Sequence, residues 1–218
     1  MDTAWVLDHL DDLASRLLQH IVLASIALEV GFVISLGLAI LAVRRRRTYG
    51  PIVVISDILY VIPSLAIFAV FVSITGITLL TVEIPLVLYT LLIYVRNIAA
   101  GFDAIPTDVL EAADGMGFTR WRRLRSIELP LAVPLIVAGL RLASVSTIGL
   151  VTITAVLGDT FGGLGHFILE GYSRSFPTEI YFGAIPSILL AIVADVTFVR
   201  IQRRATPWSR TSALGRLA

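Results

Sequence analysis

The chain has 218 residues, 57% hydrophobic and only 15% charged, with a formal net charge of +1 and a mean hydropathy of +0.90. That balance excludes an ordinary soluble domain and leaves no global field to recruit nucleic acid; the absence of cysteine excludes disulfides and thiolate metal sites. All 17 basic residues are arginine, so no P-loop lysine exists to hold ATP phosphates, and ATP-driven work would fall to another chain.

Residues 1–20 form a polar lead-in. Between Trp5 and His20, Asp8, Asp11 and Asp12 alternate with Leu10, Leu13, Leu17 and Leu18, the spacing of a short amphipathic helix at the outer surface. A lead-in without stable structure is the alternative. It lacks the basic start of a cleavable signal, so the first span is expected to stay as an anchor.

Five apolar stretches follow, at 21–43, 52–74, 82–100, 131–157 and 180–199. Each meets the requirement of about 20 helical residues for a hydrocarbon core. The expected fold is an all-α integral membrane protein with five spans over residues 21–200. Arg44 to Arg47 lie between the first and second spans. Arg120, Arg122, Arg123 and Arg125 lie between the third and fourth, and Arg200, Arg203, Arg204, Arg210 and Arg216 follow the fifth. Only Arg16 and Arg174 fall on the other side, so the positive-inside rule puts the N-terminus outside and the C-terminus in the cytoplasm.

Within the spans, Pro63, Pro85, Pro134 and Pro186 are expected to interrupt helices, and Gly31, Gly37, Gly139 and Gly149 to let helices approach closely. Asp57 lies in the second span. Glu29 and Glu83 lie toward the outer side, where packing and a pathway role are both open.

The loop 101–130 is more elaborate than a simple return to the bilayer. Pro106, Thr107 and Asp108 are helix-start residues, and Asp108 with Glu111 has capping-box spacing. A helix through Leu110 to Ala113 should end where Gly115 and Gly117 let the backbone turn. Thr119 can cap a second helix carrying Trp121, Leu124 and Ile127, with arginines opposite and Pro130 as its end. Taken residue by residue, an amphipathic interfacial loop, with its arginines on lipid phosphates and Trp121 at the headgroups, explains the same pattern.

In the fourth span, Arg141 lies about 16 Å along a helix from Pro130. It should face protein or water and pair with Asp57 or Asp195, an ion pair locking the bundle being favoured over contact with solute. Ser144, Ser146, Thr147, Thr152 and Thr154 make this the most hydroxyl-rich span, suited either to line a pore or to hydrogen-bond between helices. The outer loop 158–179 is glycine-rich and then amphipathic, with His166, Glu170, Tyr172 and Arg174. It is long enough to gate a path and meet a receptor, with Gly162, Gly163 and Gly165 as the candidate external gate. His9, His20 and His166 lack metal-ligand spacing and read as surface histidines. No nucleophile–base or carboxylate pair suggests catalysis.

The string Glu111-Ala112-Ala113, with Gly115 two residues on and Ile127, Leu129 and Pro130 closing it, resembles the coupling loop of MetI-like bacterial ABC importer permeases. The wider resemblance runs from Ser25 to Arg200 and is to the osmoprotectant branch (glycine betaine, carnitine, choline, proline). Its pieces are Ile62-Pro63-Ser64-Leu65-Ala66, Tyr94-Val95-Arg96-Asn97, Glu128-Leu129-Pro130-Leu131-Ala132-Val133-Pro134, Ala138-Gly139-Leu140-Arg141, Gly162-Gly163-Leu164-Gly165, Gly183-Ala184-Ile185-Pro186 and Leu190 to Asp195. The chain departs from that family at Tyr60-Val61, where Gln-Thr is typical, and at Gly158 to Phe161, ahead of a usually shorter glycine string.

The resemblance implies a bacterial inner-membrane permease subunit in which Glu111, Ala112, Ala113, Gly115, Gly117, Leu129 and Pro130 couple to an ATPase. It implies no cofactor on this subunit, with ATP and magnesium on two partner ATPase subunits, and no enzyme activity of its own. A second permease, identical or similar, would complete the pathway within membrane lipid. An external solute-binding protein would deliver solute and carry the aromatic cage for quaternary ammonium. The tail 201–218 is too short for a fused receptor, so that protein is expected to be separate. A permease of the same fold for amino acids or another small solute is the nearer alternative; an intramembrane enzyme or a membrane scaffold is more remote.

Overall fold

A computed structural model describes residues 2–206; Arg210, Arg216 and the rest of the tail from 207 onward lie outside the described residues. Among the described residues ten α-helices account for most positions, and there is no strand. A short α1 (Thr3–Asp8) is capped by Asp2, whose side chain accepts from the Ala4 and Trp5 N–H groups. After a kink at His9, α2 (Leu10–Arg44) runs unbroken for 35 residues. The expected boundary at residue 20 is therefore absent: Leu13, Leu17 and the apolar run beyond share one helix, and no breaker separates them.

The second expected span is two helices. α3 (Arg46–Val61) and α4 (Ser64–Thr75) meet at 92° across Ile62-Pro63. Proline pushes the preceding residue out of the helical region, and Ile62 is extended, at φ −60° and ψ 128°. With 16 and 12 residues, neither half reaches the roughly 20 residues of a straight crossing. Pro63 is the one proline of the four that breaks its span; α5 (Leu79–Asp103), α8 (Leu129–Ile153) and α10 (Pro177–Ala205) continue through Pro85, Pro134 and Pro186. Among the described residues four helical stretches are thus long and apolar enough to cross a membrane, five if the bent pair is one span.

α5 is the axis of the bundle, with 67% of its apolar window buried against 17% for α10. Two apolar clusters sit at opposite ends. One gathers Ala39 of α2, Tyr94, Ile98 and Phe102 of α5, and Ala132 and Ile136 of α8. The other gathers Leu23 and Ala27 of α2, Val82 and Leu86 of α5, and Ile148 and Val151 of α8. α2 and α5 therefore run parallel and α8 runs against them. Close approach is set by Gly31 and Gly139, where an added Cβ would strike Thr90 and Asn97; Gly37 and Gly149 have open space.

The end opposite the arginine clusters is stitched by α2. His20 is fully buried, contrary to the surface placement expected of it. Its Nε2 lies 3.0 Å from the Ile148 carbonyl, and the Leu164 N–H lies 3.3 Å from Nδ1. Those partners fix the neutral tautomer that donates from Nε2. Gln19 accepts from the Gly163 N–H and donates to the Thr160 carbonyl, and Arg16 pairs with Asp159. The four departing residues Gly158 to Phe161 are thereby held on the start of α2. α9 (Gly165–Ser173) begins so close to α8 that a Cβ on Gly165 would overlap the Thr152 backbone. Gly165→Ala should therefore cost about 1–3 kcal/mol through forced overpacking, read as a lower unfolding midpoint in detergent; an unchanged midpoint would contradict this packing.

Candidate functional site

The loop after α5 folds as two helices joined by a tight turn. α6 (Thr107–Gly115) starts after Pro106 without a side-chain cap, so the Asp108–Glu111 capping box does not form. Its end is a Schellman motif: the Phe118 N–H donates to the Ala113 carbonyl and the Gly117 N–H to the Asp114 carbonyl, with Gly117 at φ +77°. Gly117 alone makes the left-handed turn; Gly115 is the last helical residue.

Thr119 caps α7 (Arg120–Arg123) by accepting from the Arg122 N–H. The helix does not stop at Pro130. A π-helical stretch, Leu124–Glu128, leads straight into α8, so that Leu129 and Pro130 occupy its first turn. Pro130 has no N–H to return to the preceding turn, and the wider π turn shifts the register just before it. Arg123 binds the hairpin together, reaching Asp114 at 2.5 Å and Glu128 at 2.7 Å. Arg122 lies 4.4 Å from the Phe118 ring centroid, a cation–π contact that braces the turn.

This hairpin has a bare outer face. Glu111, Ala112, Gly115 and Gly117 are exposed, and Met116 and Trp121 are 67% and 66% exposed. A Cβ on Gly115 would touch nothing within 4 Å. Ala113 is fully buried, so its small side chain fits α6 onto its own chain rather than onto a partner; Leu129 and Pro130 are half-buried beneath the hairpin. Met116 and Trp121 therefore project from the hairpin without cover from their own chain.

Four charged residues of the helices form two pairs. Arg141 donates to Asp195 at 2.9 and 3.2 Å, joining α8 to α10. Asp57 does not join that pair; it accepts from Arg96 of α5 at 2.7 and 2.8 Å, joining α3 to α5. Arg96 is a partner that reading each span separately misses, since Asp57 lies 39 positions away. Ser144 is buried and donates to its own Leu140 carbonyl, and Thr152 and Thr154 likewise turn back to Gly149 and Val151. Such back-bonding satisfies a helical hydroxyl locally; of the three, Thr154 also reaches another segment, at the Phe161 carbonyl.

Thr147 differs. It lines a cavity of about 420 Å³ with Tyr60, Ile62, Pro63, Ser64 and Tyr89, directly at the α3–α4 break. The Tyr89 hydroxyl donates to the Ile62 carbonyl that the break leaves without a helical partner. Within a membrane such a carbonyl must be satisfied internally, so Tyr89 pins the bend open.

Gly162, Gly163 and Gly165 are all buried. They pack on Ala155, His20 and the Thr152 backbone, the geometry of a fixed corner. A larger cavity at this end, about 690 Å³, is lined by Trp5, His9, Arg16, Asp159, His166 and Glu170 among others. Its roof is α1, whose Trp5 packs edge-on against Phe176 and Phe182.

Residues 31–210 match the family described as binding-protein-dependent transport system inner membrane component. The osmoprotectant import permease protein OsmW of Salmonella typhimurium is 38% identical over 213 residues, covering 95% of this chain and 98% of that protein. The glycine betaine/carnitine/choline transport system permease protein OpuCB of Bacillus subtilis is 32% identical over 189 residues, 87% of this chain and 86% of that protein. In three dimensions the chain is similar to one of the inward-facing MetNI methionine ABC transporter, with TM-score 0.78 over 89% of this chain and 96% of that one. At 21% identity that likeness concerns the fold alone. An all-helical bundle, an exposed hairpin between its spans and a family match over most of its length lead to one conclusion: the chain belongs to the inner-membrane components of binding-protein-dependent transport systems, a transport subunit of an ABC importer.

Proposed function

We propose that this permease imports a small osmoprotectant of the glycine betaine, choline, carnitine or proline type, delivered by a separate external binding protein. The observation that carries the reading is the likeness to OsmW across 95% of the chain, with permeases named for choline and carnitine at 33% and 35% identity. The arginine clusters support an N-terminus outside and the hairpin in the cytoplasm. There the exposed face of Glu111, Ala112, Gly115, Met116 and Trp121 docks on an ATPase subunit. Two such subunits hydrolyse ATP with magnesium, and two permeases, identical or similar, enclose the path. The exposed apolar faces of α10 and of the bent α3–α4 pair, Ile188 and Val193 or Val61 and Ile74 among them, are available to lipid and to that second permease.

Reconstitution with the cognate ATPase and binding protein tests the substrate. ATP-dependent uptake of labelled glycine betaine, choline, carnitine or proline is expected. Robust uptake of another amino acid or an inorganic oxyanion, with none of the four moved, would replace the substrate class while leaving the permease in place.

A further inference from the structure

The cavity at the broken helix combines three features that a bundle-packing role does not need. The first is aromatic. Tyr60 and Tyr89 stand edge to face, with centroids 5.9 Å apart and planes at 69°, and Tyr60 is 45% exposed. The Tyr89 hydroxyl is committed to the Ile62 carbonyl, so that ring enters the lining without a free hydroxyl. The second is a helix start. α4 begins at Ser64; the Ala66 and Ile67 N–H groups turn back to the Pro63 carbonyl, while those of Ser64 and Leu65 precede the helical ladder. The third is Thr147, only 1% exposed to bulk solvent, whose hydroxyl-bearing side chain lines the cavity.

The lining holds no formal charge. Arg141 pairs with Asp195 and Arg96 with Asp57, and none of these four charged groups enters the lining. A neutral wall disfavours a bare cation or anion in a low-dielectric path, yet suits a solute whose two charges cancel. A volume of about 420 Å³ falls in the range of small-molecule sites.

Resting on the proposed substrate class, we propose that this cavity is a transient site for a betaine-type zwitterion. The quaternary ammonium lies against the Tyr60 and Tyr89 rings, and the carboxylate meets the α4 N-terminus and the Thr147 hydroxyl. Ring faces attract the cation through their quadrupole, and the first-turn N–H groups with the helix dipole attract the carboxylate. Two rings make an open half-cage, so the site is weak, as a station on a path must be if solute is to leave it. Tyr60 then becomes a specificity-determining residue.

The test uses the intact permease–ATPase complex in lipid nanodiscs without binding protein. Ligand-observed NMR compares glycine betaine with 3,3-dimethylbutyrate, its isostere with carbon in place of the charged nitrogen. Wild type should prefer the betaine. Tyr60→Leu should weaken betaine binding about three- to fivefold, the factor of one partly exposed cation–π contact, and leave the isostere unchanged. Tyr60→Phe should stay within about twofold, because only the ring face is used. Thr147→Val should weaken both ligands, since both carry the carboxylate.

Equal loss of both ligands in Tyr60→Leu assigns the residue to packing and overturns the proposal. So does unchanged betaine binding in that variant, or no binding by wild type. Betaine uptake by the complete importer separates the two readings. If wild type transports betaine and Tyr60→Leu does so equally well, only the site falls; if wild type transports no quaternary solute, the substrate reading falls with it.

Discussion

Gly115→Trp should reduce ATP-driven uptake at least tenfold while the chain still inserts and folds. The structure makes this substitution unusually clean. Gly115 is the last helical residue of α6, its φ is not left-handed, and a side chain there meets nothing of the chain itself within 4 Å. A tryptophan is therefore tolerated by the isolated permease and collides only with whatever covers the hairpin. Loss of about 1.4 kcal/mol of docking energy suffices for a tenfold drop in association, and a side chain of that size in a close-packed joint typically costs more. Ala112→Trp should behave alike, since Ala112 is exposed on the same helix, whereas Ala113→Trp should fail earlier, by unfolding, because Ala113 is fully buried. Uptake in proteoliposomes, co-purification of the ATPase and unfolding in detergent distinguish these outcomes. Full uptake with tryptophan at both 112 and 115 would remove the hairpin from the coupling joint.

Arg141→Leu should destabilise the bundle by about 2.5–3.5 kcal/mol, the cost of an unpaired charge at membrane depth on insertion scales. The double replacement Arg141→Leu with Asp195→Leu should recover most of that loss. Arg141 and Asp195 hold each other through two hydrogen bonds between α8 and α10, and α10 is otherwise the least buried of the long helices. Removing one partner strands the other; removing both replaces an ion pair by apolar contact, which membrane and protein interiors accept. Unfolding midpoints of the two single variants and the double variant form a cycle. A double variant as unstable as the sum of the singles would mean that the two side chains act independently.

Neither outcome bears on whether Arg141 touches solute. For that, uptake should be compared with stability in the double variant: a bundle-locking pair predicts that transport returns with the midpoint.

Much of the architecture follows from the order of residues alone. Apolar runs of about 20 residues have only one low-energy solution in hydrocarbon, the helix, so residues 82–100, 131–157 and 180–199 could be placed within a few positions of α5, α8 and α10. The hairpin was legible too, because Gly117 is needed where the backbone turns left-handed and Thr119 where α7 lacks a partner for its first N–H groups. What composition and spacing could not decide was where helices bend and which polar groups meet. Pro63, Pro85, Pro134 and Pro186 look alike in sequence, yet only at Pro63 does a tyrosine from α5 take up the freed carbonyl, and only there does the span break, by 92°.

The same holds for charge. Asp57 and Asp195 were equal candidates for Arg141 along the chain, and rotation of α3 about its axis, set by packing on α5, handed Asp57 to Arg96 instead. His20 shows the limit most simply: a histidine at the edge of an apolar run suggests a surface, but two backbone groups from α8 and the loop before α9 converge on its ring and bury it. Local pattern determines which segments are helices and where their caps and turns fall, because those depend on neighbours within a few residues. Ion pairs, the pinned bend and the cavity it opens depend on groups up to 143 positions apart, and only the packing of the bundle brings those together.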